Sequence, residues 1–291
     1  MKQKNMATKC KNEKLQMNYI YIYEGALPKY IKNSLENTLK IDPDANIYFC
    51  NDQNYQHENI TSVQIESIVS KSTKDILHKE FFKYEPNLLW TRSLNRIFYL
   101  RDVVNTLNIN KFVHFDADVL IYKPFNEINY KFSSSKFNIT PLSEKEIIFG
   151  YSCSLNRENF NCIVKKIEEF LIEFTDNESK NLLSKDLNEM KILMKIYNKE
   201  PSLFNLLPVV PKEISDEVFD PASYGQYLGG TKDRFSKKFT DENHLPGKMI
   251  REGFIQPKIY NSYPKIVFNN NEFELINLHI HSKKIKKFLP K

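Results

Sequence analysis

The sequence predicts an α/β fold in which a mostly parallel central sheet is flanked by helices. Three observations carry this. Two apolar strand-like runs bracket an amphipathic helix near residue 20. A long helix then leads into a mid-chain apolar strand that ends in Asp-Ala-Asp. A last short strand near the end of the chain carries two histidines.

The first unit begins at Asn18. Tyr19–Tyr23 (YIYIY) is β-branched and aromatic and reads as a buried strand. Gly25 and Pro28 punctuate the chain, and Tyr30–Leu39 follows as a helix with Ile31, Leu35 and Leu39 on one face. After the turn Asp42-Pro43-Asp44, Asn46–Cys50 reads as a second strand. A β-α-β unit implies parallel pairing with a right-handed crossover. Residues 52–86 show no clear period. Asn87–Leu107 predicts a long helix with Leu94, Ile97, Phe98, Val104 and Leu107 near one stripe, and Lys111–Phe115 a central strand. Val119–Tyr122 extends the chain until Lys123-Pro124 breaks it. Further on, Ile147–Leu155 reads as a strand, Asn159–Phe174 and Leu182–Tyr197 as helices, Asp241–Gln256 as a polar loop and Ile276–Ile280 as a final strand.

Composition limits the function classes. The 291 residues, 41% hydrophobic and 27% charged, suffice for one large α/β domain. The formal charge of +6 suits an anionic substrate such as a nucleotide diphosphate, or an acidic membrane surface. No zinc-finger spacing or RNA-binding signature points to nucleic acid. Cys10, Cys50, Cys153 and Cys162 form no C-x-x-C pair, so reduced thiols and a cytoplasmic location are expected. Residues 1–17 have no apolar stretch and are expected to be a flexible tail, neither signal peptide nor anchor; no window is apolar enough to span a bilayer.

The segment FVHFDADVLIYKPF, 112–125, is the most informative. Ligands of open α/β sheets collect at the carboxyl ends of strands. Residues i and i+2 of a strand share a side, so Asp116 and Asp118 are expected to point together, and two adjacent carboxylates call for a cation. Oxygen ligands favour Mg²⁺ or Mn²⁺, which bridges diphosphate oxygens and stabilises a departing nucleoside diphosphate. The plainer alternative makes both acids turn and cap residues. Arg92 and Arg96 lie one helical turn apart, and paired guanidiniums suit a diphosphate or a carboxylate. His279 and His281 alternate onto one strand face beside Lys283. Asp220–Thr231 (DPASYGQYLGGT) combines a carboxylate, a Gln and a Gly-Gly pair. There Asp220 before Pro221 also makes a good helix cap.

This order of β-α-β start, Arg-bearing helix, apolar strand with D-x-D and late His resembles GT-A glycosyltransferases. Within them it is most similar to the family-eight-like and capsular-sugar transferase groups, over roughly Asn18 to Lys283. The resemblance implies a GT-A fold, a Rossmann-like sheet, and hexosyl transfer from a UDP- or GDP-sugar to a glycan or other hydroxyl acceptor with Mn²⁺ or Mg²⁺. It implies a single domain, 18–283, divided into a nucleotide-sugar half (18–125) and an acceptor half (126–283), with a basic tail at 284–291. By the same resemblance Asp118 is a direct metal ligand, and Asp116 meets metal or ribose. Arg96 contacts the sugar nucleotide, Arg92 being its neighbour. His279 is the third ligand ahead of His281, and Lys283 neutralises the diphosphate. Asp220 is a general base or sugar-orienting group, and Gln226 orients the sugar. Tyr23 and Asp52 end strands where similar enzymes hold base and ribose, although core packing and capping suit them too. His244, in HLPGK, is a competing ligand, but Arg251 stands where the family has a downstream Lys-Pro.

Two other readings use the same acids. A haloacid-dehalogenase-type phosphatase would make Asp116 a covalent nucleophile, but Leu120 occupies the position of its Thr or Val. Asp116, Asp118 and Glu127 match calcium-loop spacing, but Ile121 replaces the required Gly. A catalytically inactive GT-A-like binding protein is separated only by assay.

Overall fold

The computed structural model describes residues 16–78, 88–176, 188–212, 217–229 and 242–291. The expected tail lies outside them as far as residue 15; Met17 is already buried, and its carbonyl accepts from the Asn46 amide.

The chain opens with β1 (Asn18–Tyr23), α1 (Lys29–Ile41) and β2 (Asn46–Asn51), followed by β3 (Thr61–Gln64) and the short helices α2 (Ile65–Ile68) and α3 (Lys71–Leu77). The long helix α4 (Leu88–Thr106) leads to β4 (Phe112–Phe115), β5 (Val119–Ile121) and α5 (Phe125–Ile128). The hairpin β6 (Phe137–Ser143) and β7 (Glu146–Ser154) precedes α6 (Arg157–Asp176), α7 (Glu189–Lys199) and β8 (Phe204–Leu206). The rest comprises β9 (Glu217–Val218), α8 (Tyr224–Leu228), α9 (Leu245–Arg251), β10 (Ile255–Tyr260), β11 (Tyr263–Phe268), β12 (Asn271–Leu275) and β13 (Asn277–His279).

The main sheet has the order β3-β2-β1-β4-β7-β6-β8. All its pairings are parallel except the two made by β7, so the predicted mostly parallel α/β sheet is observed. Strand alternation divides the core. Tyr19 and Tyr21 of β1 pack with Ile31 and Leu35 of α1 on one face; Ile20 and Ile22 pack with Leu94, Ile97 and Phe98 of α4 on the other. The two buried hydroxyls are satisfied: Tyr19 donates to Asp42 Oδ2 at 2.9 Å, and Tyr21 bonds Thr38 Oγ1 at 2.6 Å. β1 pairs with β2 on one side and β4 on the other, so the chain reverses its direction of growth between β1 and β4. Such a reversal opens a crevice at the carboxyl ends of the two strands.

Several boundaries differ from the sequence reading. α4 stops at Thr106, leaving Leu107 exposed beyond the stripe. The segment taken as a polar loop, 241–256, contains α9 and the start of β10, because His244-Leu245-Pro246 places proline at the start of a helix. Residues 255–275 build an antiparallel meander joined to β9, with Ile266, Phe273 and Leu275 buried beneath it. Its alternation is too weak along β10 and β11, where Tyr260 and Tyr263 are exposed, to show in the sequence. The start of the expected helix at 182–187 lies outside the described residues. The basic segment 284–291 is anchored: Ile285 and Phe288 are buried, and Lys40 Nζ donates to the Pro290 carbonyl at 2.9 Å.

Candidate metal centre

Strands β5 and β13 form a two-stranded antiparallel ribbon that pairs Val119 with His279. The amide of Ile280 donates to the Asp118 carbonyl at 2.9 Å, extending the ribbon to the acid. The free edge of β5 is closed by α1, where Ser34 Oγ donates to the Val119 carbonyl and Asn37 Nδ2 to the Ile121 carbonyl, both at 2.8 Å. Asp118 and His279 are thereby fixed by main-chain geometry before any ligand enters.

The two acids converge, though not by strand alternation. β4 ends at Phe115, and Asp116–Val119 forms a turn in which the Val119 amide donates to the Asp116 carbonyl at 2.9 Å. Both carboxylates are directed at the same imidazole: His279 Nε2 lies 3.3 Å from Asp118 Oδ1 and 3.8 Å from Asp116 Oδ2. One ligand atom from each of Asp116, Asp118 and His279 lies within 4.8 Å of the others. Arg96 of α4 forms an ion pair with Asp116 Oδ1, and Lys283 with Asp118 Oδ2.

The electrostatics reflect this crowding. For Asp118, burial pushes the carboxyl up, but His279 and Lys283 outweigh it and hold the group well below the usual carboxylate range. Burial raises Asp116, against the pull of Arg96 and His279, and the Asp118 charge raises it further. Burial lowers His279, but the two carboxylates prevail and its imidazole sits above its ordinary value. His281 stacks on His279, with ring centroids 4.6 Å apart and planes 16° from parallel. Burial and the neighbouring His279 push it down to about 3, so it is a neutral support for the ring beside it. Two carboxylates and one neutral imidazole suit a divalent ion of the Mg²⁺ or Mn²⁺ class, and two cationic side chains now balance charge that such an ion would neutralise.

The other predicted residues take varied places. Arg92 is exposed, and its charge acts on Glu24 at the end of β1. Tyr23 is half-buried against the α1 side of the core beside Tyr30, whose hydroxyl is raised first by burial and next by Tyr23. Asp52 serves as a cap: both its oxygens accept the Gly25 amide, at 2.9 and 3.0 Å, holding the β1–α1 turn. Gln226 sits half-buried in α8, the short helix that flanks His279. His244 pairs with Ser223 Oγ at 3.2 Å and lies outside the Asp-Asp-His group.

Asp220 is placed differently from a general base. Its Oδ1 accepts the amides of Ser223 and Tyr224, at 2.7 and 2.9 Å; its Oδ2 accepts those of Gly225 and His279, at 2.8 and 2.9 Å. Four main-chain donors fill a carboxylate's acceptor positions, leaving none for the proton of an acceptor hydroxyl. Asp220 is 2% exposed, and burial raises its carboxyl while the amides of His279, Gly225 and Tyr224 lower it. It therefore clamps β13 to the start of α8; the expected cap at Asp220 with Pro221 opening the helix is not formed, because the helix begins at Tyr224 with Ser223 before it.

One residue escaped the sequence reading. Glu189, the first residue of α7, is 3% exposed, and its Oε2 has no hydrogen-bond partner. Burial raises it from 4.5 to about 7; the Arg96 charge opposes this and the Asp116 charge adds to it. A buried acid with one oxygen unpartnered, within the field of Arg96 and Asp116, belongs to the same polar centre. The only sequence cue was Asn188, which caps α7 by accepting the Lys191 amide at 2.9 Å. The folded chain retains a proton on Glu189 that the unfolded chain releases between pH 4.5 and about 7. Stability is thus full below the lower value and falls as pH rises through the upper one. Glu189→Gln is expected to stabilise the metal-free protein by roughly 1–3 kcal/mol near pH 8, with the gain vanishing near pH 4.5. Urea unfolding of both proteins at the two pH values checks this.

No protein-family model matches the chain, and no curated protein matches it by sequence. Solved structures similar to it include glycosyltransferases. Mouse xyloside xylosyltransferase 1 in its apo form is 10% identical with a TM-score of 0.48, covering 70% of this chain and 88% of its own. An active-site mutant of LgtC is 10% identical with a TM-score of 0.44, covering 91% of this chain and 87% of its own. PaToxG glycosyltransferase is 13% identical with a TM-score of 0.41, covering 64% of this chain and 70% of its own.

Proposed function

We propose that the chain is a metal-dependent glycosyltransferase of the GT-A type, moving a hexosyl group from a UDP- or GDP-sugar to a hydroxyl acceptor. The observation that carries this is the convergence of Asp116, Asp118 and His279 within 4.8 Å, at the carboxyl end of β4 where the sheet reverses direction. Asp116, Asp118 and His279 would hold Mn²⁺ or Mg²⁺, which supplies charge stabilisation to the leaving diphosphate. On this reading residues 18–125 bind the nucleotide sugar and 126–283 shape the acceptor side.

The chain's own groups have definite tasks here. Lys283 would move from Asp118 to the diphosphate, a short displacement for a flexible stem that also lies over the Tyr30 ring at 5.4 Å. Arg96 would orient the donor near Asp116. Glu189, buried and lacking a partner at Oε2, would accept a hydrogen bond from a sugar hydroxyl. Gln226 would help orient the sugar from the neighbouring loop. Asp220 positions His279 through its main-chain amide and does not meet the acceptor.

The phosphatase reading is less well supported: Leu120 stands where that family has Thr or Val, and Asp116 is ion-paired with Arg96. Nucleotide sugars with Mn²⁺ are expected to raise Tm by mass action and to release nucleoside diphosphate. A thermal shift and a diphosphate assay across UDP- and GDP-sugars test this. The proposal fails if nucleotide sugars with Mn²⁺ leave Tm unchanged; stabilisation by the donors without turnover marks an inactive binding protein. His279→Gln is expected to weaken Mn²⁺ binding by at least about tenfold, whereas His244→Gln leaves it within about twofold. Titration calorimetry gives the ranking, and the reverse order would transfer the ligand role to His244.

A further inference from the structure

The guanidinium of Arg96 is poorly matched by its surroundings. It carries five N–H donors, yet it pairs with Asp116 Oδ1, and that oxygen meets it without an aligned hydrogen bond. Arg96 Nε is buried and has no partner. The other cation of the centre, Lys283, is 47% exposed and can turn to water; the Arg96 side chain is 17% exposed and cannot.

Two further acceptors lie within the field of Arg96 and are also unsatisfied. His114 is fully buried, and its Nδ1 donates to the Ile20 carbonyl at 2.8 Å. Its Nε2 is therefore an acceptor, and it has no donor. After burial, the Arg96 charge is the largest influence on this ring. Glu189 Oε2 likewise has no partner, and Arg96 is the first charge that acts on it. Strand β7 gathers these groups. The Asp116 amide donates to the Gly150 carbonyl of β7 at 3.1 Å, His114 stands opposite Ser152 of β7, and α7, which begins with Glu189, packs across the same strand. One guanidinium thus stands among Asp116, Glu189 and His114 while pairing with the first alone.

With a divalent ion on Asp116, Asp118 and His279, the balance around Arg96 changes. The Asp116 carboxylate is then taken, and a second strong positive charge stands beside a buried guanidinium. Lys283 can leave for solvent or for the diphosphate. Arg96 has no such exit and needs an anion inside the protein. Of the two unsatisfied acceptors, His114 is neutral and Glu189 can ionise. A charge-assisted hydrogen bond is roughly twice as strong as a neutral one, which favours Glu189. Burial holds this carboxyl up at about 7, and a guanidinium turning toward it favours its ionised form.

We propose that Glu189 is the alternate partner of Arg96: when a divalent ion takes Asp116, the guanidinium passes from Asp116 to Glu189. Glu189 is then a positioning residue that keeps Arg96 in the centre while its first partner is occupied. The inference rests on the metal centre proposed above, and not on which sugar is moved.

The test is a double-mutant cycle on the binding of Mn²⁺ alone to the full chain, with free ion read by electron paramagnetic resonance. Glu189→Gln keeps the volume and removes the anion; Arg96→Met removes the cation. Circular dichroism checks that each variant is folded, and Arg96→Gln takes the place of Arg96→Met if the latter is not. Glu189→Gln is expected to weaken Mn²⁺ binding about tenfold in the parent, but less than about twofold beside Arg96→Met, where no guanidinium needs a partner. An equal loss in both backgrounds overturns the proposal, because Glu189 would then act on the ion itself. No loss in the parent overturns it as well. Either result leaves the Asp-Asp-His centre standing, whereas a parent that binds no Mn²⁺ removes the centre and the exchange together.

Discussion

Asp118→Asn is expected to reduce metal-dependent release of nucleoside diphosphate by at least about a hundredfold while leaving the protein folded. The carboxylate is 4% exposed and is shared between His279 and Lys283, so it is the most deeply placed of the candidate ligands. Asparagine keeps the volume and removes the charge. The ribbon survives, because its bond to β13 uses the main-chain carbonyl of residue 118. Lys283 is about half exposed and returns to solvent. The imidazole of His279 loses the acid that chiefly raises it and should titrate lower. A coupled diphosphate assay, circular dichroism and an NMR titration of His279 read the three effects separately. Activity retained in a folded variant would remove the metal assignment.

Gly225→Ala is expected to be strongly damaging for a single methyl group. A Cβ at residue 225 would lie 1.9 Å from the His279 carbonyl oxygen and 3.0 Å from Asp220 Oδ2. Neither neighbour can yield: the His279 main chain is paired with β5, and Asp220 holds four amides. Overpacking of this kind costs about 3 kcal/mol or more. A chain of this size should lose roughly 6–12 °C in Tm, measured by scanning calorimetry. Because the displaced atoms carry His279, Mn²⁺ affinity should fall with stability. An unchanged Tm would show that α8 stands further from β13 than the structure places it.

The sequence made the framework legible where side chains have a single job. YIYIY, NIYFC and the α1 stripe are governed by burial, and they folded as β-α-β. Asp116 and Asp118 were readable because charged groups beside apolar strands need a reason to be there, and His279 was singled out by the family resemblance. Residues with two possible jobs were harder. Asp220 and Asp52 have the composition of catalytic or ligand-binding acids, but their oxygens are taken by main-chain amides, which no side-chain pattern announces. Glu189 stayed hidden because a glutamate opening a helix normally faces water and favours the helix dipole; only tertiary burial makes it unusual. Its depth depends on α7 crossing the sheet at β7, a long-range event without a local signature.

The ribbon of β5 and β13 has a consequence for biogenesis. Asp118 and Lys283 are 165 positions apart, and the three acid and imidazole groups meet only when the last strand docks beside β5. During synthesis the acidic half of the centre emerges early and stays open until the histidine half leaves the ribosome. An ion held by the three groups would thereby be captured late in folding, and a nascent chain stalled before residue 279 would present two carboxylates without their closing strand.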